Sequence, residues 1–150
     1  MLQAAEEEGC QQVLWVFGPE QEVTEVGAMN IFALMESKGE LELVTPPLSS
    51  GTILPGVTRS SVLELASQMP GLKVVERKLN LPELLSASVE GRLLEMFGTG
   101  TAAIVSPVGS LKWVESSLLG SLTFVFLGTM ERFTKYQHPH MDLPKNCFGG

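Results

Sequence analysis

The chain has 150 residues, 44% of them hydrophobic and 18% charged, with a formal net charge of −7. That is the composition of a globular domain long enough for one substantial core. The acidic balance, with no segregated basic patch, excludes nucleic acid and anionic lipid as partners, although a small anion can still be held by backbone N–H groups, whose local field does not depend on net charge.

The stretch "MLQAAEEEG" reads as a short acidic helix from Leu2 to Glu8. It lacks the basic start and apolar core of a signal peptide and the Arg/Ser bias of a transit peptide, so secretion is not expected. Next come "VLWVF" (Val13 to Phe17), Glu22 to Val26, "MNIFALM" (Met29 to Met35) and "LELVT" (Leu41 to Thr45), with turn signals at Gly18-Pro19 and Lys38-Gly39. Short β-rich runs joined by such turns predict a β-meander. Pro46-Pro47 closes it, and the loop "LSSGTILPG" opens a helix from Thr58 to Gln68 that stops at Pro70-Gly71. A loop that delivers Gly56 and Thr58 to a helix start has two readings, an ordinary helix entry or an anion site built from free backbone N–H groups.

"LKVVERK" reads as a strand. "NLPELLSASVEG" reads as a helix with Asn80 as N-cap, Pro82 near the first turn, Glu83 three residues after the cap and Gly91 at the C-cap. "LLEMF" is another strand, "GTGT" a tight loop, and "AAIVSPV" a strand ended by Pro107. Strands and helices alternating without an internal repeat predict an α+β (mixed α/β) domain. Beyond Trp113 the pattern fails, because Leu118 to Leu127 is apolar but uncapped and interrupted by Gly120. That run is too short to span a bilayer, which takes about 20 residues. Residues 114–150 are therefore expected to be a divergent, poorly structured tail.

Three constellations bear on chemistry. "GTGTAA" (Gly98 to Ala103) matches G-x-G-x-x-A, but that fingerprint needs a helix after the loop, and the β-branched Ile104 and Val105 follow instead. Beside a nucleotide-binding module, which rests on this loop alone, two readings remain, a plain Gly/Thr hairpin, or one of a pair of phosphate-facing turns with Pro55 to Thr58. Cys10 and Cys147 match no metal spacing or disulfide framework. His138, His140 and Asp142 could ligate a metal only if the segment were ordered, and an unstructured tail is the simpler reading. No metal site is expected.

The motifs "VLWVFG", "TEVGAMNIF", "LELVTPPL", "ILPGVTRSS", "KVVERK" and "FGTGTAAIVSPV" occur in an order and at spacings that resemble the branched-chain amino acid aminotransferases, pyridoxal-phosphate enzymes of fold type IV. The resemblance runs from about Cys10 to Trp113 and covers the later half of that enzyme. It implies that residues 1–113 are part of the larger cofactor-binding domain of a fold type IV aminotransferase, incomplete here. The implied reaction is transamination of Leu, Ile or Val with 2-oxoglutarate, by a homodimer when complete, in the cytoplasm or in mitochondria.

By the same resemblance Glu25 bonds the pyridine nitrogen, Leu54 packs on the ring, and Val57, Thr58 and Thr101 form the phosphate cradle. Thr101 and Ala102 also hold the substrate carboxylate. Without the resemblance Glu25 reads as a solvated strand carboxylate. Mammalian members carry a redox-active C-x-x-C where this chain has Ala103 and Ser106, so thiol regulation of that kind is not expected. Ala28 stands where many relatives have Thr. The Schiff-base lysine of the family lies upstream of anything matching Met1, and none of Lys38, Lys73, Lys78, Lys112, Lys135 or Lys145 falls in a matching context. The chain alone is therefore expected to be inactive, the alternative role being a non-catalytic binding or dimerisation partner.

Overall fold

A computed structural model describes residue 6 and residues 9–102, 104–116 and 120–127. The alternating apolar runs form eight strands: β1 (Gln12–Phe17), β2 (Glu22–Val26), β3 (Met29–Ser37), β4 (Glu40–Thr45), β5 (Leu72–Glu76), β6 (Leu93–Thr99), β7 (Val105–Ser116) and β8 (Gly120–Leu127). Two helices join them, α1 (Val57–Ser67) between β4 and β5, and α2 (Leu81–Val89) between β5 and β6. The first four strands are the meander expected from the sequence. At its last turn Lys38 and Gly39 take φ of 53° and 80°, the left-handed pair a two-residue hairpin needs.

Hydrogen bonding runs β2-β1-β8-β7-β6-β3-β4-β5, and β2 also pairs with β3. Strands β1, β2, β3, β6, β7 and β8 therefore close into an antiparallel ring. Closure is possible because β3 is long: β6 covers one of its edges, β2 takes Met29 and Asn30 on the other, and β4 takes Ala33 to Ser37. Strand β5 adds parallel to β4, the arrangement that a crossover through α1 requires.

The two faces of β3 meet different partners. Ile31, Ala33 and Met35 join a buried cluster with Leu81, Leu84 and Ala87 of α2. Phe32 belongs to a second cluster, with Leu43 and Ala66 buried and Leu34, Val62, Leu63 and Phe97 packed against it. The Phe32 and Phe97 rings stack with centroids 5.1 Å apart. This second face, the one α1 covers, is the face that carries Asn30.

Helix α2 follows its local signals: Asn80 Oδ1 accepts from the Glu83 backbone N–H at 2.8 Å, and Gly91 takes φ 72° just past the end. Elsewhere the structure differs from the local reading. Gly98 and Thr99 finish β6 rather than forming a loop, and β7 runs through Pro107 instead of ending there. Within β7, Pro107 stands opposite Phe97 of β6. Past the boundary expected at Trp113, β7 continues to Ser116 and residues 120–127 form β8, paired with β1 and β7. Partners on both edges, β1 distant in sequence and β7 just ahead of it in the chain, supply the backbone hydrogen bonds that the local pattern does not announce.

The helix expected over Leu2 to Glu8 lies, apart from Glu6, outside the described residues. So do Ala103, Cys147, the His138–His140–Asp142 segment and the rest of the expected tail from residue 128. Among the described residues no helix is long and apolar enough to cross a membrane, and no group of three or more His, Cys, Asp or Glu is placed to hold a metal ion.

Candidate functional site

Strand register places Glu25 opposite Asn30, and Asn30 opposite Thr99. Facing residues in a ladder project to the same side, so these three form a polar row across β2, β3 and β6. The row lies one pleat beyond the Phe32–Phe97 stack, toward the end of the face where α1 begins.

The loop ahead of α1 closes over this row. The backbone N–H of Leu54 donates to Glu25 Oε1 at 3.0 Å. Asn30 Nδ2 donates to the Leu54 carbonyl at 2.8 Å and to Glu25 Oε1 at 3.4 Å. All three bonds involve Leu54 or Oε1, and Glu25 Oε2 carries none among the described residues. The side chains of Leu54 and Val57 project outward, 72% and 81% exposed.

Gly56 is the N-cap of helix α1, and no side chain caps the helix. Its first helical bond is Ser60 N–H to the Gly56 carbonyl, so the N–H groups of its first turn have no intrahelical acceptor. The positive end of an 11-residue helix thus opens beside Glu25's loop. Thr58 Oγ1 donates to the Gly100 carbonyl at 3.3 Å. That bond ties the helix start to the loop after β6, whose Thr101 and Ala102 are both exposed.

Of the residues singled out from the sequence, the structure brings together Glu25, Leu54, Thr58 and the turn preceding Thr101 and Ala102, and leaves the Val57 side chain outermost. Three neighbours escaped notice. Asn30 is only 5% exposed. Arg59 is 3% exposed, and its Nη2 donates to the Pro46 carbonyl at 2.9 Å and to Glu76 Oε2 at 2.5 Å, bolting the start of α1 to the ends of β4 and β5. Thr99, 2% exposed, has a hydroxyl with no hydrogen-bond partner among the described residues. Two of them carried a signal, Asn30 as a carboxamide inside "MNIFALM" and Arg59 as a cation in the first turn of a helix, where the dipole disfavours it.

Residues 1–111 match the family model for class IV aminotransferases. The chain belongs to that family. Among curated relatives, the chain is 53% identical over 115 residues to the branched-chain-amino-acid aminotransferase of Monosiga brevicollis. That alignment covers 76% of this chain and 29% of that protein. It is 54% identical over 108 residues to the cytosolic enzyme of Caenorhabditis elegans, covering 71% and 26%. The chain thus spans less than a third of either relative. Among solved structures, it superposes on the branched-chain amino acid aminotransferase of Thermobaculum terrenum in its PLP form, with a TM-score of 0.57 and 31% identity. The match covers 72% of this chain and 31% of that one. The class IV aminotransferase chain is accordingly an α+β unit of fold type IV.

Proposed function

We propose that this chain supplies part of the cofactor-binding domain of a pyridoxal-phosphate-dependent aminotransferase that moves amino groups between leucine, isoleucine or valine and 2-oxoglutarate. The observation that carries the reading is the convergence on one face of Glu25, the Leu54 loop, the uncapped start of α1 and the Gly100 turn. Similarity to branched-chain enzymes described as cytosolic and mitochondrial supports the substrate class and a cytosolic or mitochondrial site of action. A homodimer is the assembly we infer for the complete enzyme.

The donor set fits the cofactor. An uncapped helix start, with Gly56 as its N-cap, suits a phosphate, because N–H groups and the helix dipole both favour an anion there. The Val57 and Thr58 N–H groups would hold that phosphate, joined by Thr101 from the loop that Thr58 grips. Glu25 would offer Oε2 to the ring nitrogen and hold a proton there. The exposed Leu54 side chain would cover one ring face and keep water off it. The N–H groups of Thr101 and Ala102 would orient a substrate carboxylate. When bound, pyridoxal phosphate supplies the electron-accepting ring on which amino transfer depends.

Lys38, Lys73 and Lys78 favour a second statement, that the 150-residue chain alone binds without turning over. Lys73 is held above the usual lysine range, first by its hydrogen bond to Glu42, and Lys78 likewise by Glu22. A lysine that attacks a carbonyl needs the opposite shift. Lys38 lies in the turn at the far end of β3 from Asn30. Alone, the chain would then act as a binding or dimerisation partner. The test is to incubate it with pyridoxal phosphate, reduce with borohydride and map modified lysines by mass spectrometry, in parallel with affinity for pyridoxine 5′-phosphate, which has no aldehyde. We expect saturable affinity for the phosphate ester, weakened in Thr58→Val, and scattered lysine labelling. One lysine labelled stoichiometrically, with amino transfer from leucine, would contradict the second statement; no preference for the ester over pyridoxine would contradict the first.

A further inference from the structure

Asn30 stands in an apolar strand at 5% exposure, where an unbonded carboxamide would be costly. Its Nδ2 reaches two acceptors that belong to different parts of the site, the Leu54 carbonyl at 2.8 Å and Glu25 Oε1 at 3.4 Å. The circuit closes through the Leu54 N–H, which donates to the same Glu25 oxygen at 3.0 Å. Gly56 lies against the other end of the amide, and a Cβ there would overlap Asn30 Oδ1. One side chain therefore fixes the carboxylate and the backbone two residues ahead of the helix start.

We propose that Asn30 is a positioning residue that sets the distance between the Glu25 carboxylate and the N-terminus of α1, so that the site takes a phosphorylated pyridine as one unit. This inference rests on the cofactor reading above. A ligand held at both ends gains only if the two anchors are already at the right separation, because ordering them on binding costs affinity. The phosphate end has further supports that do not involve Asn30, Thr58 on the Gly100 carbonyl and Arg59 on Pro46 and Glu76. Loss of the amide should therefore uncouple the two ends while leaving a phosphate site behind.

The experiment compares the full chain with Asn30→Ala and Asn30→Asp, the second keeping the side-chain volume but replacing the donor with a charge beside Glu25. Amide hydrogen exchange at Leu54 is read alongside affinities for pyridoxine 5′-phosphate and for inorganic phosphate. With one charge-assisted hydrogen bond gone, we expect Leu54 exchange to accelerate and pyridoxine 5′-phosphate affinity to fall, each about tenfold, while phosphate affinity stays within about threefold. Asn30→Asp carries the test if Asn30→Ala does not fold. Unchanged Leu54 exchange, or equal losses for both ligands, would overturn the proposal. If the unaltered chain binds neither ligand, the cofactor reading fails, and Leu54 exchange still decides whether the clamp exists.

Discussion

Replacing Gly56 by alanine adds one methyl group at the tightest point of the candidate site. Gly56 has φ −68°, which alanine adopts freely, so backbone strain contributes nothing. Space decides the outcome. The new Cβ would stand 3.5 Å from Arg59 Cβ and would overlap Asn30 Oδ1. Asn30 can make room only by swinging off its acceptors. The neutral bond to the Leu54 carbonyl is worth about 0.5–1.5 kcal/mol, and the longer bond to the carboxylate about 1.5 kcal/mol, so a loss of about 2–3 kcal/mol is expected. Urea unfolding reads this directly: with a denaturant slope of about 1–3 kcal/mol/M, the midpoint should fall by about 0.7–3 M. A double-mutant cycle isolates the cause. In an Asn30→Ala background the obstructing amide is gone, and Gly56→Ala should then cost less than about 0.5 kcal/mol. A neutral Gly56→Ala in the unaltered chain, or an equal cost in both backgrounds, would refute the packing argument.

Phe32→Ala empties the buried stack on Phe97 and should cost about 3–5 kcal/mol in the same assay; a loss under about 1 kcal/mol would mean that α1 collapses onto the gap. Lys73 and Lys78 bind their protons more tightly in the folded chain, so the contribution of their pairs with Glu42 and Glu22 is complete below the ordinary lysine value and disappears as pH rises through the raised one. Lys73→Met should flatten the alkaline fall of the unfolding midpoint, and an unchanged slope would count against the pairing. Truncation after Trp113 removes β8 and leaves β1 and β7 with open edges, so folded yield should drop, whereas truncation after Leu127 should preserve it. Equal yields would show that the ring does not need β8.

What the sequence revealed followed the reach of its signals. Asn80, Pro82 and Glu83 act within one helix, and each sits where its chemistry placed it, while Gly91 falls one residue past the C-cap, which is Glu90. The meander was readable because Gly18, Lys38 and Gly39 mark turns between alternating runs. Strand β8 was not, since its partners β1 and β7 supply what its own residues do not encode. At the site, resemblance picked out Glu25, Leu54 and Thr58, while Asn30 and Arg59 passed unremarked. Their roles depend on groups 24 residues away for Asn30 and 13 and 17 residues away for Arg59, which no local pattern displays. An amide inside an apolar strand and a buried cation in a first helical turn are the traces such long-range bonds leave in a sequence.

The most direct measurement is a titration of the isotopically labelled chain with pyridoxine 5′-phosphate, following backbone amide resonances. We expect saturable shifts concentrated at Leu54, Val57, Thr58 and Thr101, with inorganic phosphate reproducing those of Val57 and Thr58 but not that of Leu54. Saturable shifts centred elsewhere on the sheet, or none at these four amides, would contradict this expectation.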